Sequence, residues 1–176
     1  NNASIGDKIL LSGPIGGAAA GRKLLKKEKI NKTNNKMIKI FNQPKARTDI
    51  GEIIAQEGVK CAIDVSDGLL QDLLHICHAS KVNAEIQLQE IPLYTEAIKT
   101  FGLTQAQKMA LHGGEDYELL FTANNRTIDR LKRKYIPLHV IGSIKEINKK
   151  KQRSNISLIE KDKITLITKN HGWEHF

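Results

Sequence analysis

The chain has 176 residues, enough for one domain, and 40% of them are hydrophobic, which suits a buried core and argues against wholesale disorder. No run of about eighteen apolar residues occurs, so the sequence predicts no membrane-spanning helix. The first residues lack the basic start and apolar stretch of a signal peptide. Cys61 and Cys77 lack the spacing of a zinc site, and we interpret them as buried free thiols in a cytoplasmic protein rather than as a disulfide.

The net charge of +9 is unevenly distributed along the chain. Residues 1–50 carry +8, residues 51–100 carry −5, and the remainder carries +6. The lysine-rich stretches at 22–39 and 145–153 contain no aromatic residue. Because proteins that bind single-stranded nucleic acid stack bases on aromatic side chains, these stretches favour a solvated basic face over a nucleic-acid surface.

In chain order, strands and helices mix throughout, and no linker divides the sequence. Apolar runs predict strands at residues 7–12, 61–65, 83–88, 116–122 and 138–144, and then a hairpin of 156–159 with 164–167. Apolar residues at helical spacing predict helices at 18–30, 49–57, 69–79, 104–111 and 127–135, the fourth with Thr104 as its N-cap. Between the first strand and the first helix lies a glycine turn, and residues 31–35 read as a polar loop. We therefore predict one α/β domain, of undetermined sheet order.

A short apolar strand ends at Asp64-Val65-Ser66-Asp67-Gly68 and leads directly into a helix. Asp64 and Ser66 project from one face of the strand, and Asp67 starts the helix, where backbone N–H groups favour anions. Gly68 would let a ligand approach the backbone closely. Magnesium prefers such oxygen ligands, usually one or two carboxylates with water and phosphates. The residue pattern leaves two readings open at even weight, a metal and phosphate site or an ordinary helix N-cap.

The segment 112–118 places three acids between a double glycine and an apolar strand. Strand alternation puts Asp116 and Glu118 on one face, and Glu115 lies in the glycine-hinged loop, where it could meet a ligand. A turn with a polar, solvent-facing edge explains the same pattern equally well.

Two further segments have weaker patterns. The glycine turn at 13–17 lacks the dinucleotide fingerprint and the Gly-Lys-Ser/Thr of a P-loop, so we interpret it as structural. The last residues, 171–176, contain Trp173, Phe176 and two histidines. Aromatic residues at a chain end predict docking on the body or over a ligand, whereas a zinc site would lack a clear third ligand.

Three of these segments, residues 64–69, 112–120 and 172–176, together resemble thiamine-monophosphate kinase. Residues 6–21 and the phrase Pro44-Lys45-Ala46-Arg47 also fit that family. The resemblance spans the chain but covers only the carboxy-terminal part of such an enzyme. It implies that these 176 residues form one carboxy-terminal domain of a two-domain kinase. The amino-terminal domain, which would hold further magnesium-binding aspartates and form the dimer, is expected to be missing.

The resemblance implies a fold and an activity. The fold would be a layered α/β (α+β) domain with partial ferredoxin-like topology, as in aminoimidazole ribonucleotide synthetase and selenophosphate synthetase. The activity would be ATP-dependent phosphorylation of thiamine monophosphate to thiamine diphosphate, with Mg²⁺ as cofactor, in a cytoplasmic homodimer without nucleic-acid or membrane partners. This chain alone is expected to be inactive.

The resemblance also implies roles for five residues. Asp64 and Asp67 match magnesium ligands, Ser66 a nucleotide-phosphate contact, Glu115 a contact to the thiamine substrate, and Trp173 the aromatic that packs against that substrate. Phosphoryl transfer needs positioning and cations more than covalent participation, so no general base is assigned. The alternatives are a sister enzyme with another acceptor, a basic nucleic-acid-binding module, or an interaction domain without catalysis.

Overall fold

The structure, a computed structural model, describes residues 2–26, 36–147 and 154–169. Within these ranges the chain forms one mixed seven-stranded sheet and seven α-helices, which confirms the predicted α/β class. The strands are β1 (Lys8–Leu11), β2 (Cys61–Asp64), β3 (Asn83–Gln87), β4 (Leu119–Ala123), β5 (His139–Lys145), β6 (Ile156–Glu160) and β7 (Lys163–Ile167). The helices are α1 (Gly17–Leu25), α2 (Lys36–Asn42), α3 (Thr48–Gln56), α4 (Leu69–Ser80), α5 (Thr95–Phe101), α6 (Leu103–His112) and α7 (Asn125–Lys132).

The sheet order is β2-β4-β1-β5-β3-β6-β7, and only β3 and β6 pair in parallel. Strand β4 therefore lies between β2 and β1, so that Leu119 is opposite Asp64 and Leu120 is opposite Leu11. This register brings the end of β2 to the beginning of β4. The two acidic segments of the sequence flank that position.

Helices cover both faces of the sheet around β1. Ile9 and Leu11 pack in the same apolar cluster as the buried leucines of α4. Leu10 points the other way, into a cluster with Phe121 and buried residues of α3 and α7. Because both faces are covered, the strand reads as a continuous apolar run rather than an alternating one.

Several predicted boundaries differ from those observed. The first helix begins at Gly17, and its predicted continuation to residue 30 and the loop at 31–35 lie outside the described residues. Helices α2 and α5 were not predicted, since at seven residues each they are too short for a clear apolar period. The N-cap of α6 is Gly102, without a side-chain cap, so the assignment of Thr104 was wrong.

Predictions for the terminal hairpin and the two cysteines agree with the structure. The terminal hairpin is formed by β6 and β7. Cys61 and Cys77 are buried free thiols, and burial raises the pKa of Cys77 to about 12. Among the described helices, none combines the length and the apolar character needed to cross a bilayer.

Helices α1 and α2 touch at Gly21, which gives a test of the packing. A Cβ added there would lie 2.0 Å from the carbonyl oxygen of Met37, so Gly21→Ala must push two backbones apart. We expect the free energy of unfolding in urea to fall by about 1–3 kcal/mol. Gly51→Ala in α3 is the matched control, because the nearest atom to its added Cβ is 3.8 Å away, on Leu119. The control should gain about 0.5–1 kcal/mol, and equal effects of the two substitutions would contradict the packing.

Candidate functional site

The two acidic segments of the sequence lie side by side. The Val65 N–H donates to the carbonyl oxygen of Glu118 at 2.8 Å, and the Tyr117 N–H donates back to the Val65 carbonyl at 3.0 Å. One step further, the Glu115 N–H donates to the carbonyl oxygen of Ser66 at 3.0 Å. These bonds continue the β2–β4 ladder beyond both strands and join the corner at 64–68 to the loop before β4.

The polar residues of the corner are more exposed than the valine between them. Val65 is fully buried, whereas Asp64, Ser66 and Asp67 are half-buried. Helix α4 starts at Leu69 with Gly68 as N-cap and without a side-chain cap. The interpretation of Ser66 or Asp67 as an ordinary N-cap is therefore wrong.

Gly68 has a structural role at this corner. Its φ is +106°, and a Cβ there would lie 3.0 Å from the carbonyl carbon of His112 and 3.3 Å from the carbonyl oxygen of Gly113. Glycine is needed because the backbone is in a conformation that other residues rarely adopt and packs directly on another loop. The close approach that we expected from a ligand is made by the chain itself.

Asp72 in α4 contacts the corner and was missed by the sequence reasoning. It is only 1% exposed, and its Oδ2 accepts hydrogen bonds from the backbone N–H groups of Ser66 at 3.0 Å and Asp67 at 3.1 Å. Burial raises the pKa of its carboxyl to about 6, and the charge of Asp67 raises it further, while the two N–H groups oppose the shift. The available signal was a single acid among the leucines that begin the helix.

The donor atoms near the corner allow a test of the metal prediction. In the described ranges, the potential ligand atoms of Asp67, Asp72 and His75 lie within 4.8 Å of one another. The two carboxylates suit Mg²⁺, but the imidazole does not, and its Nε2 lies 3.1 Å from the Gln71 amide nitrogen. Of the two predicted metal ligands, this group contains Asp67 and not Asp64. The oxygen donors of the corner therefore fit a hard cation, with Asp67 as their most accessible carboxylate in the group.

Two acids of the loop do not face a ligand or solvent. Asp116 and Glu118 are 8% and 6% exposed, so the interpretation of a polar, solvent-facing edge is wrong for these two acids. Asp116 accepts hydrogen bonds from the N–H groups of Gly16 at 2.6 Å and Ala18 at 3.0 Å, at the start of α1. These bonds support the structural interpretation of the glycine turn. The predicted strand start at Asp116 is also wrong, since Tyr117 has a φ of +52°.

Glu118 forms a buried ion pair. Its Oε1 lies 3.0 Å from Nη1 of Arg47, and its Oε2 accepts from the hydroxyl of Ser12. The Ser12 oxygen in turn accepts from the Leu119 N–H at 2.7 Å. A Cβ at Gly13 would lie 2.7 Å from Oε2 of Glu118, so the turn after β1 closes tightly over the carboxylate. The family-like segment 44–47 thus supplies the cation that compensates a core acid.

Of the two predicted substrate contacts, Glu115 lies within the described residues and Trp173 does not. Glu115 is half-buried, and its φ of +66° is uncommon for a residue other than glycine. The hydrogen bond to Ser66 holds it beside the corner. Trp173 lies outside the described residues, as do His171 and His175.

Asp116 gives a prediction of pH dependence. Burial raises its pKa from 3.8 to about 7 although backbone N–H groups oppose this shift. The folded state therefore binds the proton more tightly than the unfolded state. The resulting contribution to the free energy of unfolding is complete below pH 3.8 and is lost as the pH rises through about 7. Asp116→Asn removes this pH dependence. It also replaces one of the two acceptor oxygens by an amide nitrogen, which should lower the free energy of unfolding by about 1–3 kcal/mol at low pH. Urea unfolding should show the difference between wild type and variant narrowing as the pH rises, and a constant difference would contradict the assignment.

Comparisons with known proteins agree with this arrangement. Residues 4–150 match the family model described as "AIR synthase related protein, C-terminal domain". The thiamine-monophosphate kinase of Buchnera aphidicola subsp. Schizaphis graminum is 38% identical over 99% of this chain, and that of Haemophilus influenzae is 35% identical over 100%. The aligned region is 54% of each relative, so the chain spans about half the length of the curated relatives that it matches.

Solved structures give the same result. AaThiL complexed with AMPPCP and TMP superposes on the whole chain with a TM-score of 0.80 and 29% identity, over 53% of that protein. A thiamine-monophosphate kinase from Stenotrophomonas maltophilia matches 84% of this chain and 50% of its own, with a TM-score of 0.75 and 32% identity. A hydrogenase maturation protein, HypE, in complex with ATP has a TM-score of 0.68 but 14% identity, which shows a shared fold alone.

Proposed function

We propose that this chain, which belongs to the family of AIR synthase related C-terminal domains, takes part in the ATP-dependent phosphorylation of thiamine monophosphate to thiamine diphosphate. The observation that carries the proposal is the hydrogen bond from the Glu115 N–H to the Ser66 carbonyl. It joins the predicted phosphate corner to the predicted thiamine contact in one surface. The relatives that align with nearly the whole chain are thiamine-monophosphate kinases.

The chain is one carboxy-terminal domain of a two-domain kinase. This proposal is supported by the match to about half of each relative. The other domain would complete the magnesium and ATP site, so the 176 residues alone should show no turnover. The complete kinase would be a homodimer in the cytoplasm, and two buried free thiols fit a reducing compartment. Sedimentation of the complete protein would test the dimer.

Each residue of the corner has a role in this proposal. Asp64 and Asp67 would hold Mg²⁺, and Ser66 would contact a phosphate of the nucleotide. The cation, when bound, supplies positive charge to the phosphate oxygens. Glu115 would face the cationic thiazolium ring of thiamine, where a carboxylate is favourable. Trp173 would pack against the same substrate. None of these side chains needs to act as a general base, because positioning and charge stabilisation dominate phosphoryl transfer.

The test compares phosphoryl acceptors and adds one variant, Glu115→Ala, that should change the KM of only one substrate. The complete protein should phosphorylate thiamine monophosphate in preference to the acceptors of the sister enzymes, and the isolated chain should phosphorylate none. Glu115→Ala should raise the KM for thiamine monophosphate and leave the KM for ATP unchanged. Turnover with another acceptor alone, or robust activity of the isolated chain, would overturn the proposal, and an effect of Glu115→Ala confined to ATP would overturn the role of that residue.

A further inference from the structure

Asp72 differs from the other buried acids of the described chain in the groups that it binds. Asp116 binds the start of a helix, and Glu118 pairs with Arg47 in the core. The carboxylate of Asp72 instead binds two consecutive N–H groups of the corner, those of Ser66 and Asp67. These are the residues proposed to contact phosphate and metal.

The bonds of Asp72 are not those of an ordinary helix cap. A capping side chain precedes the helix and accepts from N–H groups inside the first turn. Asp72 lies inside α4 and reaches backward, past Gly68, to two residues that precede the helix. Its acceptor oxygen therefore fixes backbone outside the helix, in the segment that turns from β2 into α4.

Three contacts define the path of this segment. Val65 is held by the ladder to Glu118, and Gly68 packs on the backbone of His112. Between them, the N–H groups of Ser66 and Asp67 both donate to one oxygen of Asp72. Because a residue's backbone orientation sets the direction of its side chain, these two bonds orient a hydroxyl and a carboxylate together.

We propose that Asp72 is a positioning residue: by binding the Ser66 and Asp67 N–H groups, it aims the Ser66 hydroxyl at phosphate and the Asp67 carboxylate at the divalent cation. This inference rests on the proposed function. Supporting groups of this kind are worth about 10- to 100-fold in metal affinity in other proteins. In this role Asp72 acts through the backbone of Ser66 and Asp67, by way of its Oδ2.

The test uses Mn²⁺ as the probe, because its binding can be followed by electron paramagnetic resonance without turnover. Asp72→Ala in the complete protein should weaken Mn²⁺ binding at the corner about 10- to 100-fold. The exchange of the Ser66 and Asp67 amide hydrogens should accelerate in the same variant. Asp72→Asn retains an acceptor oxygen and should keep Mn²⁺ affinity close to that of wild type. Asp67→Asn should abolish the binding, which assigns it to this corner.

A matched control separates positioning from general stability. Asn124→Ala removes a single side-chain bond, accepted from the Thr127 N–H at 2.9 Å, at the start of α7. That helix follows the opposite end of β4, so Mn²⁺ affinity should not change. If Asp72→Ala does not fold, Asp72→Glu replaces it, since it keeps the charge but displaces the acceptor oxygen.

The outcomes are distinct. Unchanged Mn²⁺ affinity in Asp72→Ala, affinity lost equally in Asp72→Asn, or retained affinity in Asp72→Glu would each overturn the positioning role. It would also be overturned if the complete wild-type protein had no Mn²⁺ site that Asp67→Asn removes. Equal losses in Asp72→Ala and Asn124→Ala would also overturn it. If the Mn²⁺ results are as expected but the complete protein does not phosphorylate thiamine monophosphate, the proposed function is overturned. The positioning role of Asp72 is then still supported.

Discussion

Asp67→Asn in the complete kinase should lower turnover at least about 100-fold and raise the Mg²⁺ concentration needed for half-maximal activity. The side chain is half-buried at the corner, and its carboxylate belongs to the described group of potential metal ligands. An amide keeps the shape but removes the negative charge, so the cation would be held less tightly. Turnover measured across a Mg²⁺ series separates a loss of metal affinity from a loss of folded protein.

The matched control is Asp129→Asn, which makes the same chemical change on the exposed surface of α7. Its ion pair with Lys132 is solvent-exposed and contributes little to stability. Normal Mg²⁺ dependence in Asp67→Asn, or an equal change in Asp129→Asn, would contradict the metal role of Asp67.

Arg47→Ala should strongly lower the free energy of unfolding. The arginine is the cation paired with Glu118, whose side chain is 9% exposed. Removing it leaves a buried carboxylate without its opposite charge, which typically costs about 3–5 kcal/mol. Urea unfolding near neutral pH measures the loss of free energy.

Two further variants check the cause of that loss. Glu118→Gln in the Arg47→Ala background removes the uncompensated charge and should recover part of the stability. Arg130→Ala breaks a more exposed pair with Glu57, which Lys134 also contacts, and should cost less stability than Arg47→Ala. Equal costs for the two arginines would show that burial of Glu118 does not determine the effect.

The elements that the sequence predicted best are those with clear apolar patterns. Strand β2, helix α4 and the terminal hairpin all lie where the sequence placed them, within one or two residues. The failures were short helices and ends set by contacts elsewhere. The start of β4 is one of these, because positive φ values at Glu115 and Tyr117 interrupt a strand that the residue types alone favour.

The acids of the site show why residue type alone did not assign their roles. Asp116 and Glu118 lie two residues apart in a motif that suggests a ligand site, yet one binds the start of α1 and the other pairs with Arg47. Asp72 carried no motif, and only packing of α4 against the corner shows what it binds. Each of these bonds joins residues whose partners are set by the folded chain.

The sequence by itself determined the α/β class and the composition of the corner at 64–68, because alternation and helical periodicity are local properties. Its motifs also indicated the family to which the chain belongs. Only the tertiary structure decided which acids are buried. The pairing of β4 between β1 and β2 buries Asp116 and Glu118 and places Glu115 beside Ser66. That pairing is a long-range choice that no stretch of a few residues encodes, and it decides which of the acids can meet a ligand.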